Sequence, residues 1–197
     1  MFIKRVVDIA VSICALVISA PVMILVAILV KLTSPGPFIF SQIRCGLNGR
    51  KFKFYKVRSM VQHAEELKVT LSHLNEKDGP VFKMTRDPRI TKIGRYLRKF
   101  SIDEFPQFWN VLRGDMSLVG PRPAVPSEIT HYKLWQRRRL RMRPGLTCLW
   151  AIHGRDNLNF DTWMQLDLDY IESWSLGLDL KIILQTIPRV FWGRGAN

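Results

Sequence analysis

Between Ile9 and Val30 the chain runs through 22 residues without a charge, with Pro21 near the centre. As a helix this run would reach about 33 Å, enough to cross a hydrocarbon core of roughly 30 Å. The plain reading is one transmembrane helix, and two details argue against it. Pro21 removes a backbone hydrogen bond and bends the helix, and Ser19 can help satisfy a freed carbonyl. Both flanks are also basic, with Lys4 and Arg5 before the run and Lys31, Arg44, Arg50 and Lys51 after it. The positive-inside rule puts both flanks on the cytoplasmic side, which a single crossing cannot do. A helix that enters, breaks at Pro21 and returns to the same face resolves the conflict. The run is too long and too uniformly apolar for a signal-peptide core, so the segment is expected to stay attached.

The rest of the 197 residues fits one domain. Net charge is +14, unevenly spread. No acid occurs between Asp8 and Glu65, and none between Glu128 and Asp156, where Lys133, Arg137, Arg138, Arg139, Arg141 and Arg143 fall. Such patches attract phosphates, whether on nucleic acid, lipid headgroups or a nucleotide. The three cysteines, Cys14, Cys45 and Cys148, lack CxxC spacing, which argues against a disulfide framework or a zinc site and for a reducing compartment. His63, His73, His131 and His153 show no metal spacing and read as solvated or core histidines.

Along the chain, SPGP at 34–37 is a turn and FIFSQ after it a short strand. KFKFYKVRSM, 51–60, is a second strand, in which Phe52, Phe54, Lys56 and Arg58 share one face. Residues 61–74 read as helical, NEKDGP at 75–80 as an exposed loop, and a further helix carries Ile93, Tyr96, Leu97 and Phe100 opposite Arg95, Arg98 and Lys99. WQRRRLRMRPG, 135–145, is either a site for anionic lipid or phosphate or a solvated basic helix face. The stretch 179–195, with Lys181, Arg189, Trp192 and Arg194 among apolar residues, reads as an interfacial helix or a core-packing one, bent or ended by Pro188. Asp115, Asp156 and Asp161 read as turn, loop or cap residues.

The chemistry-bearing stretch is SIDEFPQFWNVLRGDMSLVGPRP, 101–123. Its bland reading is a capping box, in which Glu104 satisfies the Ser101 amide at a helix start. In the functional reading, one of the adjacent carboxylates Asp103 and Glu104 is a nucleophile or metal ligand and the other orients it or shares the metal. Neighbouring helical residues point about 100° apart, so both reach one cation only near a helix end. Arg98, Arg122 in PRP and Arg155 in HGRDN supply cations that could surround them.

Several segments in order carry a family resemblance over essentially the whole length. They are KRVVDI, the Pro-interrupted apolar run, FSQIRCGLNGRKFKFYKVRSM, GPVFKMTRDPRITKIGRYLRKFSIDEFPQFWNVLRGDMSLVGPRP, MRPGLTCLWAIHGR and LDLDYIESWSLGLDLKIIL. The chain resembles the bacterial sugar transferases, the monotopic phosphoglycosyl transferases that begin capsule, O-antigen and exopolysaccharide assembly. The resemblance implies an α+β, mostly helical fold. Residues 1–32 would form a re-entrant helix-break-helix, and 33–197 a small catalytic domain with interfacial amphipathic helices on the cytoplasmic face of the bacterial inner membrane.

The implied activity is transfer of a sugar 1-phosphate from a UDP-sugar to polyprenyl phosphate, usually undecaprenyl phosphate, with release of UMP and a requirement for Mg2+. Asp103 is then the nucleophile and Glu104 its partner at the metal, with Arg58 and Arg98 as catalytic cations and Lys56, Arg122 and Arg155 as substrate-binding ones. The implied partners are donor, acceptor and membrane lipids, without nucleic acid and with a homodimer left open. The chain departs from the family pattern in two places. Ala20 precedes Pro21 where Ser-Pro is usual, and Cys148 and Ala151 stand where relatives commonly carry the Gly and Gln of T-G-x-x-Q. The competing class is a non-enzymatic basic membrane protein that binds anionic lipid or nucleic acid, which leaves the acid pair beside PRP and HGR without a reason.

Overall fold

A computed structural model describes residues 1–154 and 158–191. Helix α1 (Phe2–Thr33) carries the apolar run as one continuous helix with Pro21 inside it. The expected break into two helices does not occur. Proline removes a single amide, and the hydrogen bonds on either side of it persist. The Ser19 hydroxyl donates to the Leu16 carbonyl at 3.3 Å, one residue short of the Val17 carbonyl that Pro21 leaves free. The buried positions Lys4, Asp8, Ser12, Ser19, Val26 and Val30 fall three to four residues apart, or at multiples of that spacing, and so form one stripe. Around it Val17, Ile18, Val22, Ile24 and Leu25 are exposed. Only 17% of the most apolar window is covered by protein. A surface this apolar needs lipid or another cover.

Both ends of the stripe pack on the same body. At the N-terminal end the Lys4 ammonium lies 2.6 Å from Asp179 and donates to the Val119 carbonyl at 3.0 Å. Asp8 accepts from the Ser117 hydroxyl and the Leu118 amide, and Arg5 donates to the Val111 and Leu112 carbonyls. At the other end Val26 and Val30 join Val57 and Leu97, with Phe38, Ile93 and Ile102 against them.

After α1, strands β1 (Ile39–Cys45) and β2 (Lys51–Val57) form an antiparallel hairpin, with Ile39 opposite Val57 and Cys45 opposite Lys51. Its Phe52 and Phe54 enter a core with Val111 and Met116. The free edge of β2 is closed by Asn110, which accepts from the Tyr55 amide at 3.2 Å and donates to the Lys53 carbonyl at 2.7 Å. Helices α2 (Ala64–Thr70), α3 (Lys92–Lys99) and α4 (Gln107–Arg113) follow, with α3 started by Thr91, whose hydroxyl accepts from the Gly94 amide.

Strand β3 (Ser117–Val119), helix α5 (Pro126–Thr130) and strand β4 (Gly145–Thr147) come next, and β3 and β4 pair in parallel. A Cβ at Gly145 would sit 2.1 Å from the Gly120 amide nitrogen, so only glycine admits that approach. Helices α6 (Leu149–Ile152), α7 (Phe160–Glu172) and α8 (Leu176–Phe191) complete the described chain. α8 serves both expected readings. Ile182 is fully buried with Leu178 and Ile183 beside the β3–β4 core, while Leu180, Leu184 and Ile187 are exposed. Pro188 lies within α8 and does not end it, while Trp192 and Arg194 fall outside the described residues. The architecture is α+β and mostly helical, as the sequence implies.

Candidate active site

The Ser101 backbone is left-handed (φ 53°, ψ 23°), an uncommon and mildly costly state for a residue with a Cβ. It reverses the chain after α3 and starts a 3₁₀ turn over Ile102–Glu104. The capping box is not made. The Ser101 amide donates to the Arg98 carbonyl, and the Ser101 side chain caps nothing. Glu104 turns instead to Lys56, whose ammonium lies 2.8 Å from Glu104 Oε1 and 3.5 Å from Asp103 Oδ2. Lys56 reaches both carboxylates from β2 and holds them as a unit.

Ile102, the residue before the pair, packs on the cluster in which Val57 of β2 and Leu97 of α3 meet Val26 and Val30 of α1. The Asp103 side chain is only 5% exposed, whereas that of Glu104 is 34% exposed and Lys56 29%. Burial raises the Asp103 carboxyl above the ordinary carboxylate range, Lys56 and Arg98 oppose that rise, and Glu104 adds to it. Burial would depress Lys56, but the Glu104 and Asp103 charges outweigh it and leave the ammonium raised. The geometry is that of a buried carboxylate next to a more accessible one, with Lys56 and Arg98 as local positive charge.

The remaining residues singled out in the sequence divide. Arg98, in α3, acts electrostatically on both Asp103 and Lys56. Arg58 is buried, and its guanidinium donates to the Pro35 carbonyl at 2.5 Å and the Ser34 carbonyl at 2.7 Å, tying β2 to the turn that leaves α1. Arg122 lies 3.8 Å from Glu128, in a separate cluster with Arg44 and Arg139. The two groups adjoin at Phe54, whose ring centroid is 5.3 Å from the Arg44 guanidinium and 5.9 Å from the Lys56 ammonium. Arg155 and Asp156 lie outside the described residues.

In the basic segment 135–145, Arg137, Arg138, Arg141 and Arg143 are exposed, as a solvated face requires, but Arg139 is not. The segment's core, Gln136–Arg141, is a 3₁₀ helix, and Arg139 is buried 2.5 Å from Asp167. Lys4, Asp8 and Arg139 were legible only as charges, because their partners lie more than a hundred residues away or on another helix. A concavity of about 730 Å³ lined by Lys51, Lys53, Tyr55, Arg113 and Asp115 includes neither carboxylate of the pair.

No cluster of three His, Cys, Asp or Glu side chains that could hold a metal occurs among the described residues. Two adjacent carboxylates, one of them accessible, fit a hard cation that takes one or two protein oxygens and completes its shell with water and substrate phosphates.

Comparison with known proteins bears on this arrangement. The bacterial sugar transferase profile matches residues 1–193. The galactosyl transferase CpsE of Streptococcus agalactiae is 50% identical over 195 residues, covering 98% of this chain and 43% of the relative. The exopolysaccharide production protein ExoY of Sinorhizobium fredii is 40% identical, covering 98% of this chain and 87% of the relative. The undecaprenyl-phosphate galactose phosphotransferase of Salmonella typhimurium is 42% identical, covering 99% and 42% respectively. The chain thus spans less than half the length of two of these relatives, and the matched range includes the acid pair, the helix before it and the apolar segment. It belongs to the bacterial sugar transferase family.

Proposed function

We propose that the chain transfers a sugar 1-phosphate from a UDP-sugar to undecaprenyl phosphate at a membrane surface. The observation that carries this reading is the buried Asp103 held with Glu104 by one lysine, beside the C-terminal end of the apolar helix. The Asp103 carboxylate attacks the sugar-bearing phosphorus of the donor. The bond from that phosphorus to the bridging oxygen breaks, and UMP leaves with the electron pair. The resulting aspartyl phosphosugar is an acyl phosphate. An oxygen of the lipid phosphate then attacks the same phosphorus, the Asp103 carboxylate departs, and the product is a lipid diphosphate sugar. Splitting one displacement into two is the logic of covalent catalysis.

A carboxylate approaching a diphosphate meets strong charge repulsion, so positive charge must surround the reacting phosphorus. Lys56 and Arg98 supply part of it. Asp103 and Glu104 would hold Mg2+, which supplies neutralisation of phosphate charge when bound. Arg122 is the phosphate-facing cation of the adjoining cluster, because its guanidinium fork suits phosphate oxygens.

The same reading orients the membrane segment. Asp8 and Val26 are fastened to one body although they lie 18 positions apart along α1. A helix standing upright through a bilayer could not rest both ends on a body that stays on one side. A re-entrant path, in which α1 stays one helix but bends at Pro21 so that both ends lie at the cytoplasmic face of the inner membrane, fits this fastening and the basic flanks. It brings the pair to headgroup depth, where the acceptor phosphate lies.

The test is UMP release by the detergent-solubilised chain with a panel of UDP-sugars, magnesium and undecaprenyl phosphate, alongside Asp103→Asn. Release that needs the lipid phosphate and Asp103 supports the reading. Equal release by Asp103→Asn would remove Asp103 as nucleophile, and salt-sensitive binding to any polyanion without UMP release would favour the non-enzymatic alternative.

A further inference from the structure

The turn that carries Arg122 has no regular secondary structure, yet three successive carbonyls of it are held. Arg139 donates to the Arg122 carbonyl at 2.9 Å, Arg44 to the Pro123 carbonyl at 2.9 Å, and the Cys45 amide to the Ala124 carbonyl at 2.8 Å. Two of the three tethers are guanidiniums, so the turn is fixed by bringing like charges toward the Arg122 side chain. Simple bracing would be cheaper with neutral groups.

The charge there is incompletely balanced. Arg139 is paired with buried Asp167, and its other arm meets the Tyr132 hydroxyl at 2.8 Å. Arg44 has no ion pair among the described residues, and its Nε is buried without a hydrogen-bond partner. Burial and the nearby Arg122 guanidinium pull the Arg44 pKa down to about 10. Among the described residues Arg122 makes one ion pair, with Glu128 at 3.8 Å, and the other oxygen of Glu128 accepts from the Val125 amide. Arg122 has 31% of its side chain exposed, against 5% for Arg139.

We propose that Arg44 and Arg139 are positioning residues that hold Arg122 as the contact group of a phosphate subsite beside the acid pair. The subsite adjoins the pair through Phe54, which lies under both Arg44 and Lys56. Assigning the phosphate to the sugar-nucleotide donor rests on the reading above. The claim that the subsite binds phosphate, and that Arg44 and Arg139 act through Arg122, does not. Fixing the turn removes backbone freedom that Arg122 would otherwise lose on binding, so the benefit appears only while Arg122 is present.

The experiment uses the full chain in detergent with inorganic pyrophosphate as probe, followed by calorimetry with magnesium chelated. The variants are Arg122→Ala, Arg44→Lys, Arg139→Lys and each lysine variant combined with Arg122→Ala. Each lysine variant alone is expected to weaken pyrophosphate binding about tenfold, and to cause no further loss once Arg122 is alanine. Arg44→Lys keeps the test open if Arg139→Lys, which disturbs a buried pair, fails to fold.

Failure of the wild-type chain to bind pyrophosphate would overturn the subsite. Unchanged affinity in folded Arg44→Lys, or equal losses with and without Arg122, would overturn the positioning role. A parallel donor titration is expected to show KM raised with kcat little changed. If no donor yields UMP while Arg122-dependent pyrophosphate binding persists, the functional reading fails and the subsite stands. Normal UMP release with additive losses has the opposite meaning.

Discussion

Lys4→Met tests whether the apolar helix is structurally part of the catalytic body. The Lys4 and Asp179 side chains are 8% and 10% exposed and 2.6 Å apart. Removing one partner of such a pair leaves an uncompensated buried charge, typically about 3–5 kcal/mol. Two groups soften that penalty here. The Tyr170 hydroxyl still donates to Asp179 at 2.6 Å and the Trp174 indole at 3.2 Å. The expected loss is therefore near the lower limit, about 3 kcal/mol, or a fall in Tm of roughly 6–12 °C for a chain of this size. Thermal or denaturant unfolding of the detergent-solubilised chain, followed by tryptophan fluorescence, reads it directly. Asp179→Asn in the Lys4→Met background should recover part of the loss, because no buried charge then remains. A loss below about 0.5 kcal/mol, the usual size for a surface change, or strictly additive effects of the two substitutions, would refute the anchoring argument.

Three further outcomes follow from the site. Asp103→Asn is expected to abolish UMP release and covalent labelling by donor while leaving the melting curve near that of the wild type. Lys56→Met removes the nearest cation from a carboxyl already raised by burial. Because that cation favours the ionised form, the acid limb of the pH–rate profile should move to higher pH; an unmoved or lowered limb would contradict the assignment. Gly94→Ala places a Cβ 1.9 Å from the Ser59 carbonyl oxygen, so α3 must shift and carry Arg98 with it. Circular dichroism and the UMP assay should both register the damage.

Much of the local structure is legible in residue pattern. Alternation and turn residues give the hairpin and the shared face of Phe52, Phe54 and Lys56, and helical spacing gives α3. The parallel β3–β4 pair is not legible, because each strand is three residues long and its pairing depends on a close backbone approach at Gly145 rather than on a side-chain pattern. The acid pair can be read as a candidate, but its Lys56 clasp joins residues 48 positions apart and only the fold reveals it. Charge by itself misleads in a consistent way. Lys4 reads as a basic flank of the apolar run and Arg139 as part of a phosphate-binding or solvated basic face, yet both are buried beside acids from distant elements. Arg58 reads as a catalytic cation, and its described bonds tie the exit of α1 to β2.

The two-point fastening of α1 makes membrane depth and active-site geometry one variable. Ile102 joins the cluster through which Val26 and Val30 of α1 meet β2 and α3, and Asp103 is the next residue. If α1 rides deeper or shallower in a lipid of different thickness, the carboxylate is carried with it, because no flexible linker intervenes to absorb the displacement. On the proposed reading the acceptor's phosphate is held at the interface by its own hydrocarbon chain, so the bilayer would act as a common datum against which enzyme and substrate are both measured.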